Sequence, residues 1–295
     1  MKKKFSTVIY ETKDTIARIT LNRPEKLNAW DFPGQKGLVD DFHSALDLAE
    51  EDDDVKVVII KAAGRAFSSG HDLTTVGFVY GYGTGEKGER RPSQRIRLKV
   101  DRKTFDANHR RLFLFPKVTI AQVHGYCLGE GMILMLCCDL AVVAEDSQIG
   151  HFDQRMGFAG SGMGTIPILM ATVGIKRAME LLLTGKTIDG KEAERIGLVN
   201  AAVPIEKLAE TTDKLAGLVC LMPRDGIAIG KAHRQLSYES MGLTHGFSQG
   251  YITHTLFTNL RWEDDEYNFF KKRREKGARS GFHERDDRYR SVEGK

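Results

Sequence analysis

The stretch Val118–Asp139 constrains the fold of this chain more than any other part of the sequence. It opens with Val118–Val123, a run rich in β-branched residues that is typical of a buried strand. Three glycines follow between residues 125 and 131, and an unbroken apolar run, Met132–Cys138, comes next. Because that run is too short to cross a membrane, it predicts a helix enclosed by protein. A buried helix that starts at a glycine turn leaves backbone N–H groups unpaired, and these can stabilise an oxygen that carries negative charge.

Length and composition narrow the class of protein. A chain of 295 residues, with 28% charged and 41% hydrophobic residues, is long enough to bury a full core. A net charge of +4 gives no reason to expect a nucleic-acid partner, and no apolar segment is long enough to predict a membrane span. The four cysteines form neither a disulfide framework nor a metal-ligand spacing, so we expect a reduced, cytoplasmic protein without a metal.

Hydrophobic patterning divides the chain into two regions. Strands and helices alternate in residues 1–204, which predicts an α/β core, and residues 205–295 follow a helical pattern. Predicted strands lie at residues 15–22, 55–62, 118–123, 140–144 and 198–203, and predicted helices at 32–50, 101–114, 132–138, 175–183, 191–196, 205–221, 223–238, 243–260 and 263–276. The least regular part, residues 77–103, is rich in glycine and then in arginine, and it predicts a long mobile surface segment.

Five sequence motifs lie in a fixed order along the core region. They are Asn22–Asn28, Gly64–Leu73, Pro116–Gly131, Cys138–Ala141 and Thr184–Val199. Their order and spacing resemble the enoyl-CoA hydratase/isomerase (crotonase) family, and the resemblance covers most of the chain. It implies an α/β fold built as a crotonase spiral of ββα units. It also implies that the helical C-terminal region packs on neighbouring subunits, giving a homotrimer or a hexamer.

The resemblance also implies a substrate and the residues that hold it. The substrate would be an acyl-CoA, used without a tightly bound cofactor. Family members hold the thioester oxygen with two backbone N–H groups, which on this chain belong to His71 and Glu130. This matches the physical expectation for the glycine turn, since enolate formation places charge on that oxygen. The residues expected to contact coenzyme A are Lys26, Leu27, Ser69, Asp72 and Leu73, with Phe257 and Lys272 near the C-terminal tail.

Two positions depart from the hydratases of the family. Those enzymes carry two glutamates, and the matching positions here are Ile133 and Asp153. Adding water across a double bond requires one group to activate water and another to protonate carbon. A single carboxylate at Asp153 can instead move one proton between carbons, as the isomerases of the family are thought to do. Ile133 therefore argues against an ordinary hydratase.

Three further side chains have more than one interpretation. Glu130 could supply the missing carboxylate, or it could point to solvent and stabilise the first helical turn by its charge. His151 could titrate beside Asp153 or could simply be hydrogen-bonded. The imidazole of His71 could act as a base, but it is expected to form a polar wall of the pocket instead.

We therefore predict an acyl-CoA enzyme that stabilises a thioester enolate, with Asp153 as the proton carrier. Two alternatives stay open. One is a hydrolase or carbon–carbon lyase of the same fold, and the other is a non-catalytic relative that binds coenzyme A or RNA. Ile133 and the basic run at residues 271–276 motivate the second alternative. We also hypothesise that residues 77–103 close over the acyl group and set substrate choice.

Overall fold

Two β-sheets and the helices around them form the fold. We describe it from a computed structural model, which covers residues 1–32, 36–73, 93–157, 164–257 and 262–293. Most of the irregular segment predicted at residues 77–103 therefore lies outside the described residues, and its last part forms a helix. Within the described ranges no helix is both long enough and apolar enough to cross a membrane.

The larger sheet in the described part of the chain has seven strands. They are β1 Lys2–Lys4, β2 Val8–Lys13, β3 Ile16–Leu21, β4 Val57–Ala62, β6 Val118–Val123, β8 Leu140–Ala144 and β10 Ala201–Val203, in the order β1-β2-β3-β4-β6-β8-β10. The first three strands pair antiparallel, and every later pair is parallel. Helices bury the parallel strands on both faces, and for this reason the sequences of β4 and β6 are nearly continuous apolar runs.

The smaller sheet is made of three short parallel strands, each of which follows a strand of the larger sheet. These are β5 Ala66–Ser68, β7 Tyr126–Leu128 and β9 Gln148–Gly150. The chain thus runs from the larger sheet to the smaller one three times, and helices connect successive turns. This repeated path confirms the predicted α/β fold, a spiral of β-strand pairs and helices.

Twelve α-helical segments occur in the described residues. They are α1 Leu38–Glu51, α2 Gln94–Arg102, α3 Arg111–Phe113, α4 Glu130–Cys137, α5 Ile166–Val173, α6 Ile175–Thr184, α7 Gly190–Arg195, α8 Leu208–Cys220, α9 Arg224–Ser240, α10 His245–Phe257, α11 Phe269–Lys276 and α12 Ala278–Glu293. A π-helical segment, Lys103–Arg110, joins α2 to α3 without a break. All residues of α4 are buried, as the apolar run in the sequence predicts.

The structure differs from the sequence prediction in several local features. The sequence analysis predicts no strand directly after β4, β6 or β8. In the structure each of these three stretches contains one short strand of the smaller sheet. The helix expected from residue 101 starts at Gln94, and the strand expected at 198–203 is confined to β10. Strands of three residues are too short to show an alternating pattern, so periodicity could not reveal the smaller sheet.

The last two helices pack on the core of their own chain. Phe269 and Phe270 of α11 join a cluster with Phe32 and Met156, and Phe282 of α12 packs against it. These contacts bring α11 and α12 to the site described next.

Candidate active site

A cavity of about 420 Å³ lies where the smaller sheet, the start of α4 and the C-terminal helices meet. Its wall includes the predicted site residues His71, Glu130 and Asp153, together with Ile133. The apolar part of the wall is formed by Leu73, Phe105, Leu128, Phe152, Met156, Phe270 and Phe282. The structure therefore brings predicted site residues from distant parts of the sequence to one cavity.

Two backbone segments approach each other closely at the cavity wall. Gly70 has a φ of +92° and Gly129 a φ of +53°, both in the region that favours glycine. A Cβ atom at Gly70 would lie 2.9 Å from the carbonyl oxygen of Leu128 and 3.5 Å from the backbone nitrogen of Glu130. The segment that carries His71 therefore passes so close to the segment that carries Glu130 that a side chain at position 70 would clash with it.

The backbone N–H of His71 is directed away from Trp30, the residue opposite it. The backbone N–H of Trp30 donates to the Gly70 carbonyl at 2.8 Å, and the Trp30 carbonyl accepts from the backbone N–H of Asp72 at 2.7 Å. These two hydrogen bonds therefore use the residues on either side of His71. Because successive N–H groups of extended backbone point to opposite sides, the His71 N–H points away from Trp30. The Glu130 N–H belongs to the first turn of α4, where amides have no partner within the helix.

The side chain of Glu130 is buried between two histidines. Its Oε1 lies 2.5 Å from Nε2 of His109, and its Oε2 lies 3.3 Å from Nε2 of His71. The interpretation that this side chain points to solvent is wrong, because only 4% of it is exposed. Burial raises the pKa of Glu130, but the charges of His109 and His71 and the His109 hydrogen bond outweigh burial and lower the pKa to about 2.

Asp153 lies on the cavity wall beside His151. It is the first residue of a short 3₁₀ helix, Asp153–Met156, which follows β9. Its Oδ2 is 3.6 Å from Nε2 of His151, and its side chain is partly exposed, whereas His151 is buried. The two residues whose roles were left open in the sequence therefore lie side by side, and Asp153 is the one that a ligand in the cavity can reach.

Several wall residues were missed by the sequence analysis. Thr104, Phe105 and His109 come from the π-helical segment, and His254 comes from α10. His254 Nδ1 lies 3.1 Å from Oδ1 of the buried Asp101. Burial lowers the pKa of His254, but the charge and hydrogen bond of Asp101 outweigh it and raise the pKa. These residues belong to none of the five motifs, so only their tertiary placement identifies them.

The family assignment follows from the whole length of the chain. The family model for enoyl-CoA hydratase/isomerase matches residues 11–276. The chain belongs to the enoyl-CoA hydratase/isomerase family. It is thus an acyl-CoA enzyme of that family, and the match runs from the second half of β2 to the end of α11.

Individual relatives agree with this assignment. A relative from Mycobacterium tuberculosis, whose name describes an enoyl-CoA hydratase, is 33% identical over 267 residues, covering 86% of this chain and 81% of the relative. The hydroxycinnamoyl-CoA hydratase-lyase of Pseudomonas fluorescens is 31% identical over 213 residues, 72% of either protein. The crystal structure of an enoyl-CoA hydratase/isomerase from Xanthobacter autotrophicus Py2 is 30% identical, with a TM-score of 0.82, and covers 97% of this chain and 99% of that one. The last comparison confirms the fold over nearly the whole chain.

Within this member of the family, five of the seven residues predicted to contact coenzyme A line the cavity. These are Lys26, Leu27, Ser69, Asp72 and Leu73. Asp72 is also paired with Arg23 at 3.2 Å, which gives it a structural role in the loop. Lys272 is not part of the wall and pairs with Glu284 at 3.4 Å. The side chain of Phe257 lies outside the described residues.

The loop that carries Lys26 and Leu27 is held in an unusual conformation. Leu27 and Asn28 both have a φ of +52°, which is uncommon outside glycine. The side-chain Nδ2 of Asn28 donates to the backbone carbonyls of Ala63 and Ala66 at 2.9 and 2.8 Å, and its Oδ1 accepts from the backbone N–H of Arg23 at 2.8 Å. The bond to Ala66 connects the loop to β5, and the bond to Ala63 connects it to the residue after β4.

The C-terminal helices close the remaining side of the cavity. Phe270, Phe282 and Arg285 line it, and the Arg285 guanidinium lies 5.0 Å from the ring centroid of Phe152. Arg273 of α11 donates to the backbone carbonyl of Leu73. The end of the chain therefore contributes directly to the wall of its own site.

Proposed function

We propose that this protein stabilises the enolate of an acyl-CoA thioester, with the amides of His71 and Glu130 on the thioester oxygen and Asp153 as the proton carrier. One observation carries the proposal: the backbone at Gly70–His71 passes close to the backbone at Gly129–Glu130, with no room for a side chain at position 70, on the wall of the cavity that holds Asp153. Two amides aimed at one point stabilise the charge that develops on an oxygen there. Removal of one such donor typically raises the barrier by about 3–4 kcal/mol.

Asp153 would act at the carbon next to the thioester carbonyl. Once the carbonyl oxygen is held by two amides, the proton on that carbon becomes more acidic, and a carboxylate within reach can take it and return it. Asp153 is suited to this because it faces the cavity and is partly exposed, whereas Glu130 is enclosed by histidines. Proton transfer by Asp153 is common to isomerisation, dehydration and hydration.

The cavity favours an apolar acyl group. Four aromatic rings and Met156 form much of the wall beyond the two amides, while Lys26 lies at the side where the polar coenzyme A would enter. Burial of apolar acyl atoms against these rings contributes about 25 cal/mol per Å². We therefore propose 2-unsaturated and 3-hydroxy acyl-CoAs with an apolar or aromatic acyl group as the substrate class.

Exchange of substrate hydrogen in D₂O tests this proposal. The wild-type protein, incubated with a panel of acyl-CoAs, should exchange hydrogen at the carbon next to the carbonyl, which mass spectrometry detects as a gain of mass. Asp153→Asn should lose at least about 100-fold in exchange rate while still binding the acyl-CoA, since a proton carrier typically contributes 10²–10⁴-fold. Unchanged exchange in this variant would refute the role of Asp153, and absence of exchange with every acyl-CoA would refute the proposal.

A carbon–carbon lyase is the second candidate. The relative named hydroxycinnamoyl-CoA hydratase-lyase and the aromatic wall of the cavity both support it. In this reaction a 3-hydroxy acyl-CoA divides into an aldehyde and an acyl-CoA shorter by the lost carbons, and the same enolate forms. Detection of an aldehyde in the panel separates this outcome from reversible hydration, and release of free coenzyme A would indicate the hydrolase alternative.

We also propose the predicted homotrimer or hexamer, in the cytoplasm. Large apolar side chains are exposed in the single chain on α8 (Leu218), directly after it (Leu221) and on α9 (Ile229). Exposed apolar patches of this kind commonly form interfaces. Sedimentation at several concentrations measures the assembly, and a monomer throughout would exclude it.

A further inference from the structure

Ile133 leaves the proposed chemistry without a second acid/base group. Ile133 lies on the cavity wall where a carboxylate would be expected, and an aliphatic side chain cannot exchange a proton. Asp153 can serve the carbon next to the carbonyl, but removal or addition of water at the next carbon needs another group. The candidates on the wall are the side chains of Glu130, His71 and His151.

The imidazole of His71 is placed to be that group. Its side chain is 28% exposed, compared with 4% for Glu130 and 3% for His151, so it is the member of the three that a substrate reaches. Its ring stacks on Phe32 with centroids 4.9 Å apart and planes 11° apart, which fixes the ring. Its Nδ1 is buried and has no hydrogen-bond partner among the described residues, so Nε2 is the ring nitrogen that can act in the cavity. The same residue carries the amide proposed to hold the thioester oxygen, and it lines the cavity.

Two buried residues support this imidazole from behind. Glu130 Oε2 lies 3.3 Å from His71 Nε2, and His109 holds the other carboxylate oxygen at 2.5 Å. The contact of Glu130 Oε2 with the ring is electrostatic, because that oxygen has no hydrogen-bond partner among the described residues. A charged carboxylate beside a ring nitrogen attracts an imidazolium and favours one orientation of the ring. The low pKa of Glu130 keeps its carboxylate charged at neutral pH. Glu130 and His109 thus act through His71 as positioning residues.

We propose that the His71 imidazole is the second acid/base group of this site, supported by Glu130 and His109, and that the protein adds and removes water at the 3-carbon of an acyl-CoA. This inference rests on the proposed function. In dehydration, Asp153 takes the proton from the 2-carbon, and the His71 imidazolium gives its proton to the leaving hydroxyl, so that the carbon–oxygen bond breaks and water forms. The carbon–carbon double bond replaces the two lost bonds. A proton then returns from Asp153 to His71 through solvent, and hydration follows the same steps in reverse.

The variant His71→Ala separates the side chain from the amide. It keeps the backbone N–H that is proposed to hold the thioester oxygen and removes only the imidazole. Hydration of a 2-unsaturated acyl-CoA should fall by about 10²–10⁴-fold, while the Asp153-dependent hydrogen exchange of a saturated acyl-CoA should stay within a few-fold of wild type. Added imidazole should restore part of the hydration rate. His233→Ala, at an exposed histidine of α9, is the matched control and should leave both rates unchanged.

Each outcome decides the inference independently of the proposed function. Hydration at the wild-type rate in His71→Ala would overturn it, and so would a wild-type protein that exchanges hydrogen but hydrates no acyl-CoA. Equal loss of exchange and hydration in a folded His71→Ala would show that the ring maintains the oxygen site, and would overturn it as well. Failure of the proposed function would instead appear as absent exchange in the wild type.

The positioning residues have a separate test. Glu130→Gln keeps the shape of the side chain and removes its charge, and His109→Gln removes the ring that anchors it. Both variants should lower the kcat for hydration while the KM and the rate of hydrogen exchange stay near wild type. Restored kcat in Glu130→Asp would support a role for the charge. If Glu130→Gln hydrates at the wild-type kcat, the supporting pair is excluded.

Discussion

Gly70→Ala is the most direct perturbation of the proposed oxygen site. Gly70 has a φ of +92°, and the added methyl group would lie 2.9 Å from the Leu128 carbonyl oxygen and 3.5 Å from the Glu130 nitrogen. The first distance is shorter than a carbon–oxygen contact allows, and both neighbours are backbone atoms of the turn before α4. The two segments must therefore move apart, which separates the amides of His71 and Glu130.

The size of the effect follows from this geometry. A non-glycine residue held at such a φ costs on the order of 1–3 kcal/mol, so the free energy of unfolding should fall by about that amount. Loss of one donor to the oxygen should raise the barrier by about 3–4 kcal/mol, which is roughly a 10²–10³-fold loss in kcat. The catalytic loss should thus exceed the loss of stability.

Urea unfolding and hydrogen exchange from an acyl-CoA measure the two quantities in the same protein. Gly217→Ala is the matched control, because Gly217 lies within α8 and a methyl group there meets nothing within 4 Å. It should leave exchange unchanged and stabilise the helix by up to about 1 kcal/mol. A folded Gly70→Ala protein with full exchange activity would refute the assignment of the oxygen site.

Two further predictions concern buried polar groups. Because the pKa of Glu130 is lowered in the folded state, its charge stabilises the fold above the unfolded-state pKa near 4.5, and this contribution is lost as the pH falls toward 2. Glu130→Gln should therefore lose less unfolding free energy over that interval than wild type, and a parallel decline would contradict the low pKa. Asn28→Ala removes three hydrogen bonds of the loop at Lys26 and should lower the unfolding free energy by about 2–3 kcal/mol and raise the KM for acyl-CoA. An unchanged KM would separate this loop from coenzyme A binding.

The sequence by itself determined the fold class and predicted the glycine turns of the proposed site. The apolar run at Met132–Cys138 had to be enclosed, and it forms the buried helix α4. Gly70 and Gly129 both have a positive φ, and at Gly70 a side chain would also clash with the backbone before α4. An apolar run and a glycine turn each involve only a few consecutive residues, so the sequence alone can predict them. The motifs added the family and the prediction that Asp153 shares the site.

Only the tertiary structure decided the environment of the polar side chains. Glu130 is compatible in sequence with a solvent-exposed first turn, and its burial depends on His109, which is 21 positions away on a π-helical segment. The short strands of the smaller sheet and the wall residues Phe270 and Phe282 show no periodic signal either. Side-chain burial and charge depend on which distant elements pack together, and the free energy of that packing comes from the whole chain. For this reason the charges that surround His71 could not be read from the sequence.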